Sequence, residues 1–308
     1  IETIGNVGVP VFILISGYFG IRFKPKKLLQ LDLMLIFYCW TGLALRFAWG
    51  DAAEYGMEQI LSYVLPVIGR NSWYFTCYFA LAILSPFLNE FVEKLEKETF
   101  RRMLVLMLVI FSGITTFLFF DITQDGGKGI VNMTLLYLIG RYIRLYQDEK
   151  VYSRKKLITA YVVIMAVCIA LNGTLYVVSG TVQNRFSRDN TLFTIAASVC
   201  LFLLFKDLHF RSKVINRLAT HVPAVFTMEW TLRGVVTAYM FDYLAWRESN
   251  WHELILFGVC FLLLAMGTVI DELRVLLLGR AEEKLADLEY RGLTTVCGTL
   301  KRCILRFF

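Results

Sequence analysis

The strongest constraint on this chain is a run of nineteen uncharged residues at positions 3–21. A basic segment follows it directly, with Arg22, Lys24, Lys26 and Lys27 in quick succession. A helix of about 20 apolar residues matches the roughly 30 Å hydrocarbon core of a bilayer. The run and its basic flank therefore predict a transmembrane helix that is followed by a charged loop.

Composition extends this prediction to the whole chain. Of its 308 residues, 57% are hydrophobic and 19% are charged, and the mean hydropathy is +0.59. Soluble domains carry about 25% charged residues, so most of this chain must face lipid or other buried helices. The net charge of +7 comes from basic residues in short loops between apolar segments, which is typical of membrane topology. We expect an integral membrane protein without a nucleic-acid partner.

The apolar segments define the expected fold class: an all-α, polytopic transmembrane helix bundle with about nine spans. A membrane domain then covers residues 1–279, and residues 280–308, which end in KRCILRFF, form an amphipathic cytoplasmic tail. Residues 51–70 mix acidic and apolar side chains and are predicted to form an amphipathic helix at the outer interface. The nine predicted spans are residues 4–21, 31–49, 71–91, 103–120, 129–146, 157–179, 190–205, 219–242 and 253–278.

The distribution of Lys and Arg over the loops predicts the orientation. Loops after the odd-numbered spans hold three to six basic residues each, whereas the other loops hold one or two. The basic set is therefore expected in the cytoplasm, so the chain begins outside and ends inside. Together with Ile1 as the first residue, this orientation leads us to expect a further helix upstream and about ten spans in the intact protein.

Glu229 and Arg233 are the clearest ionisable residues inside a predicted span. Their i,i+4 spacing places them on one helix face, where they can form an ion pair. In one interpretation each neutralises the other so that the helix can insert. In the other, the pair lines a polar cavity in which Glu229 orients or deprotonates a hydroxyl and Arg233 holds an anionic group.

Four basic residues at the cytoplasmic ends of spans form a second candidate site: Lys26, Lys27, Arg141 and Arg144. Topology alone accounts for cytoplasmic charge, but a phosphate-rich donor such as an acyl coenzyme A needs cations of this kind. By contrast, Arg46 lies near the outer end of its span and is expected to reach the headgroups.

Asn71, Trp73 and Tyr74 lie at the predicted outer end of the third span. An interfacial aromatic belt is one interpretation of this segment, and stacking of a sugar at a cavity mouth is the other. The seven cysteines include no CxxC motif or Cys/His cluster, so we expect no metal site. None of the histidines is predicted to be catalytic, and His209 and His221 are expected to be solvated beside a cytoplasmic loop.

Five segments, in order, resemble the acyltransferase 3 family of bacterial integral-membrane acyltransferases. The quoted motifs are VPVFILISGYFGIRFKPKKLLQL, NSWYFTCYFALAILSPFLNEFV, YLIGRYIRLY, DNTLFTIAASVCLFLLFKDL and VIDELRVLL. The first is similar to the family's second helix. Where the family tends to have an Arg-x-x-Arg pattern this chain reads Lys27-Leu28-Leu29-Gln30, and Glu229 stands where close relatives often have a histidine.

The resemblance implies transfer of an acyl group, commonly acetyl, from cytosolic acetyl-CoA to a hydroxyl of a cell-surface glycan or its lipid-linked precursor. Acyl-CoA is then a co-substrate, no cofactor is bound permanently, and the protein resides in the bacterial inner membrane among lipids. The family's essential histidine belongs to the first helix, so the chain as given is expected to be inactive.

Two other functions remain open at the level of sequence. Intramembrane charges such as Glu229 and Arg233 also mark translocation pathways, so a glycan or solute transporter is one alternative. A non-catalytic membrane partner descended from an acyltransferase is the other. The sequence does not predict an oligomeric state.

Overall fold

The computed structural model describes residues 2–48, 50, 55–208 and 211–307, with side chains described from residue 3 to residue 295 within these ranges. The structure is 79% helical, and no strand occurs among these residues, which confirms the all-α prediction. The α-helices are α1 Glu2–Gly5, α2 Gly8–Phe19, α3 Pro25–Ala48, α4 Met57–Val64, α5 Trp73–Glu93, α6 Lys97–Met107, α7 Ile114–Leu118, α8 Ile130–Tyr146, α9 Arg154–Ser179, α10 Leu192–Lys206, α11 Lys213–Val235 and α12 His252–Phe307.

Each of the nine predicted spans overlaps at least one of these helices. Within the described ranges, six helical segments are long and apolar enough to cross a membrane, and the count of nine stays a prediction. The six are Pro25–Ala48, Trp73–Glu93, Lys97–Leu118, Arg154–Ser179, Arg185–Lys206 and His252–Thr295. The shorter apolar helix Thr3–Phe19 corresponds to the opening run.

The two segments predicted to lie on the membrane differ in structure. Over residues 51–70 only α4 is helical, and a turn region follows it, while residues 51–54 lie outside the described part. Helix α12 continues from His252 to Phe307 without a break at residue 280. The basic and apolar side chains of KRCILRFF, on which the predicted tail interaction depends, lie outside the described residues, as does His209.

The chain divides into two units. The first comprises Ile1–Phe23 and Trp73–Phe210, and α2 and α8 pack together at its centre. A Cβ atom at Gly17 would lie 2.1 Å from the Tyr137 carbonyl oxygen, and one at Gly140 would lie 2.4 Å from the Leu14 carbonyl oxygen. Glycine at both positions is therefore what lets the two backbones approach so closely.

The second unit comprises Lys24–Ser72 and Arg211–Phe308, in which α3, α11 and α12 pack against one another. Its core contains Tyr38 from α3, Met228 and Leu232 from α11, and Leu263 from α12. This three-helix core positions the polar groups described next.

Candidate functional site

A cavity of about 370 Å³ lies in the second unit, beside the end of α11. The helix changes there from α to a π-helical turn, Val236–Met240. Such wide turns are frequent at functional sites, because they shift the side chains that follow out of the α-helical register. The cavity is lined by Arg46, Trp230, Arg233, Gly234, Thr237, Ala238, Tyr243 and Leu244.

Arg233 is held over this cavity by three neighbours. Its Nε donates a hydrogen bond to the Tyr243 hydroxyl at 3.1 Å, and its Nη1 donates to Glu229 Oε1 at 3.3 Å. The guanidinium carbon also lies 5.6 Å from the centroid of the Trp230 ring, which is a cation–π contact. These contacts fix the position of the positive charge.

The i,i+4 pair predicted from the sequence is present, but its two members differ in position. Arg233 lines the cavity, whereas Glu229 is not one of the lining residues and its side chain is 49% exposed. The carboxylate therefore reaches the cavity only through its contact with the guanidinium. Both interpretations of the pair remain compatible with this geometry.

Arg46 does not reach outward as the sequence suggested; that expectation is wrong. Its side chain is buried, with Nη1 donating to the Tyr55 hydroxyl at 2.8 Å and Nε to Thr231 Oγ1 at 3.4 Å. Hydrogen-bond acceptors inside the unit replace the headgroups as partners for the guanidinium. The cavity consequently has two arginines in its wall.

Sequence reasoning missed a second polar group, which is buried where α3, α11 and α12 meet. His221 Nδ1 lies 2.6 Å from Asp271 Oδ2, and Arg274 Nε donates to Asp271 Oδ1 at 2.9 Å. The Tyr38 hydroxyl makes a short hydrogen bond to the same carboxylate, and Arg274 also pairs with Glu282. We name Tyr38, His221, Asp271 and Arg274 the buried polar network.

His221 is therefore not solvated, and only 5% of its surface is exposed. Its other ring nitrogen, Nε2, lies 3.0 Å from Glu272 Oε1, and Glu272 in turn pairs with Arg217. The sequence held one signal of this network: Asp271 and Arg274 are charged residues inside a predicted apolar span, and such residues need buried partners.

The predicted donor-site cations divide between the two units. In the first unit, Arg141 is buried and its Nη2 lies 2.9 Å from Glu93 Oε1, while Arg144 Nη1 lies 2.6 Å from Asp148 Oδ2. The guanidinium of Arg144 also lies over the Tyr18 ring. Each of these two arginines thus has a carboxylate partner that a phosphate would have to replace.

In the second unit, Lys26 Nζ lies 2.6 Å from Asp287 Oδ1 on α12. The side chain of Lys27 makes no ion pair or hydrogen bond within the described ranges. A donor phosphate could therefore bind Lys27 without displacing a carboxylate.

The predicted sugar-contact residues also divide between the units. Asn71, in the second unit, accepts a hydrogen bond from the Cys39 thiol at 3.4 Å. Trp73 and Tyr74, in the first unit, pack edge to face against each other and against the core there. Their packing accounts for the ring positions, and sugar contact stays a prediction.

Comparison with protein families supplies the assignment. An acyltransferase domain model, that of the acyltransferase 3 family, matches residues 1–270. The chain belongs to the acyltransferase 3 family. Comparisons with curated proteins and with solved structures find no match.

Membership in the acyltransferase 3 family makes this chain a transferase, and its apolar helices agree with a membrane protein. Acyl transfer requires a group that takes a proton from the acceptor and a positive charge near the carbonyl oxygen that becomes negative. Glu229 and Arg233 lie 3.3 Å apart, with Arg233 lining the cavity of the second unit and Glu229 beside it.

Proposed function

We propose that this acyltransferase moves an acetyl group from cytosolic acetyl-CoA to a hydroxyl of a cell-surface glycan, or of its lipid-linked precursor, in the bacterial inner membrane. The observation that carries the proposal is the family match over residues 1–270. The contact between Glu229 and Arg233 beside a cavity supports it with a chemically suitable pair.

In the proposed reaction, Glu229 accepts the proton of the acceptor hydroxyl. The hydroxyl oxygen attacks the thioester carbonyl, the new ester C–O bond forms, and the C–S bond breaks to release coenzyme A as its thiolate. Arg233 stabilises the negative charge that develops on the carbonyl oxygen, because its guanidinium is already fixed by Tyr243 and Trp230. The proton on Glu229 then passes to the thiolate or to water.

We propose that Arg141 and Arg144 in the first unit bind phosphates of the donor, and we propose the same role separately for Lys26 and Lys27 in the second unit. A phosphate would take the place of Glu93, Asp148 and Asp287 as the partner of these cations. Arginine and lysine form charge-assisted hydrogen bonds with phosphate oxygens as well as with carboxylates, which supports such an exchange. Asn71, Trp73 and Tyr74 are proposed to contact the acceptor.

The test compares surface glycans from cells with and without the complete gene, using mass spectrometry. We expect acetyl esters that are present with the gene and absent without it. A second measurement supplies radiolabelled acetyl-CoA to inverted membrane vesicles and follows label into glycan. Identical glycans in both strains, with no transfer of label, would refute the acyltransferase proposal and favour a transporter.

A further inference from the structure

A second cavity of about 370 Å³ lies in the first unit, among loops. Its wall combines the segment between α7 and α8, the segment before α10, and Asn6 from the short break between α1 and α2. The Lys and Arg distribution over the loops predicts that this side faces outward. The lining residues are Asn6, Asp121, Gln124, Asp125, Gly126, Lys128, Asn184, Arg188 and Asp189.

Two of the cavity carboxylates are held in place by the backbone of their own loop. Asp121 Oδ2 accepts a hydrogen bond from the Gly126 N–H at 2.8 Å, and Asp125 Oδ1 accepts one from the Gly127 N–H at 2.7 Å. Asp121 Oδ1 also accepts from the Asn190 side chain at 3.1 Å. Thr123 also donates to Asp121 Oδ1 from its N–H and its hydroxyl, so Asp121 is oriented with its about four lone-pair sites in use. Asp125 accepts only on Oδ1, from Gly127 and from the Thr123 hydroxyl, and keeps acceptor capacity for a ligand.

The two loops that form the wall are joined rigidly. The buried side chain of Asn132 donates to the Gly127 carbonyl at 3.0 Å and to the Asp189 carbonyl at 3.2 Å. Gly127 has a φ of +89°, and a Cβ there would lie 2.4 Å from the Asn190 nitrogen. Only glycine fits at this point, so the wall is a packed structure with a defined shape.

Two cations of this cavity do not pair with the carboxylates of Asp121 and Asp125. In the part of the chain that the structure describes, Lys128 and Arg188 make no side-chain ion pair or hydrogen bond, although Asp121 and Asp125 line the same space. Opposite charges that line one cavity and stay apart can each bind a ligand placed between them. Such a ligand must accept hydrogen bonds from the cations and donate them to the carboxylates.

A hydroxyl group can accept hydrogen bonds from the cations and donate one to a carboxylate, because it offers one donor hydrogen and two acceptor lone pairs. Both signs of charge line the wall in nearly equal number, three carboxylates and two cations, so the wall suits a neutral ligand that carries several hydroxyls. The volume falls within the roughly 300–1,000 Å³ of small-ligand sites. We propose that this cavity binds a sugar residue of the acceptor through its hydroxyls, an inference that rests on the proposed glycan acceptor.

The test uses saturation-transfer NMR on the protein in lipid nanodiscs. The probes are the methyl glycosides of glucose, galactose, mannose and N-acetylglucosamine. We expect at least one to bind, and Arg188→Ala and Lys128→Ala each to weaken that binding about tenfold, which corresponds to about 1.4 kcal/mol. Both side chains are exposed and unpaired within the described residues, so these variants should fold.

Arg185→Ala is the matched control. Arg185 is an exposed arginine three residues before Arg188 that contacts the Phe119 ring and does not line the cavity. The Arg185→Ala variant should leave sugar binding unchanged. Binding of none of the four glycosides by folded protein, or an equal loss in Arg185→Ala, would overturn the inference.

The experiments distinguish a failure of the sugar-binding inference from a failure of the proposed acetyl transfer, because the binding assay contains no acyl donor. Sugar binding that depends on Arg188, without any acetyl transfer by the parent, would support the cavity and refute the acetyl-transfer proposal. Acetyl transfer that proceeds equally well in Arg188→Ala and the parent would refute the cavity alone.

Discussion

The imidazole of His221 and the carboxylate of Asp271 meet at 2.6 Å, with both side chains buried. This contact joins α11 to α12, and hydrogen bonds from Tyr38 and Arg274 to the same carboxylate add α3. Three helices of the second unit therefore converge on one negative charge. Removing that charge would take one of two carboxylate partners from Arg274 and the carboxylate acceptor from Tyr38.

We expect Asp271→Ala to destabilise the protein by about 1–3 kcal/mol or more, because the buried Tyr38 hydroxyl and His221 ring lose their carboxylate partner while Arg274 keeps Glu282. Thermal unfolding in detergent, followed by tryptophan fluorescence, measures the effect. Glu253→Ala is the control, since it removes an exposed acid from the first turn of the same helix. Equal stability of the two variants would mean that the buried polar network contributes little.

We expect Glu229→Gln to reduce acetyl transfer by about 100-fold or more while expression stays near normal, because the amide cannot accept the hydroxyl proton. Glu248→Gln, an exposed acid on the predicted outer side, is the matched control. Transfer of radiolabelled acetyl groups in vesicles gives the rates. If Glu229→Gln is as active as the parent, the ion pair of Glu229 and Arg233 serves only to let the helix insert into the membrane.

Charge reversal at Arg144 should raise the acyl-CoA concentration needed for half-maximal rate about tenfold or more, because it replaces attraction of the donor phosphates by repulsion. Lys155→Glu reverses an exposed charge that is not one of the predicted donor residues and should have a smaller effect. Asp148→Asn removes the carboxylate that competes for Arg144 and should tighten donor binding. Donor binding unaffected by Arg144→Glu would contradict the proposed donor site.

The predicted orientation is tested by cysteine labelling in a background without the native cysteines. A membrane-impermeant maleimide added to intact cells should label Gln124→Cys and leave Glu149→Cys unlabelled. Both positions are exposed in the structure, so access depends on the side of the membrane. Labelling of Glu149→Cys from outside would reverse the topology.

Asp121 provides a pH-dependent test of the loop that lines the sugar cavity. Desolvation raises the pKa of this carboxyl, but hydrogen bonds from Gly126, Thr123 and Asn190 outweigh it and hold the pKa below its ordinary 3.8. A lowered folded-state pKa stabilises the fold above the ordinary value, and that stability is lost as the pH falls through the folded-state pKa.

Parent protein and Asp121→Asn should therefore differ in thermal stability at neutral pH, and the difference should persist to about pH 4 before it shrinks. Unfolding temperatures measured between pH 7 and pH 3 test this. A difference that is already gone at pH 6 would mean that the folded-state pKa is raised.

The helices could be predicted from the sequence, because an apolar stretch of bilayer length is typical of a helix that contacts lipid. The contact between Glu229 and Arg233 was predictable for a similar reason, since four residues of α-helix fix the spacing. The burial of Arg46 and His221 was not, because their partners Thr231 and Asp271 lie far along the chain. The sugar cavity was missed because three separate segments form its wall.

The tight fit of α2 on α8 has a consequence for how the protein is made. Gly17 is synthesised more than a hundred residues before Gly140, the glycine against which it packs. At about 5–20 residues per second, α2 is made roughly 6–25 s before the face of α8 against which it packs. Membrane assembly of the first unit is therefore completed only after the ribosome has passed α8.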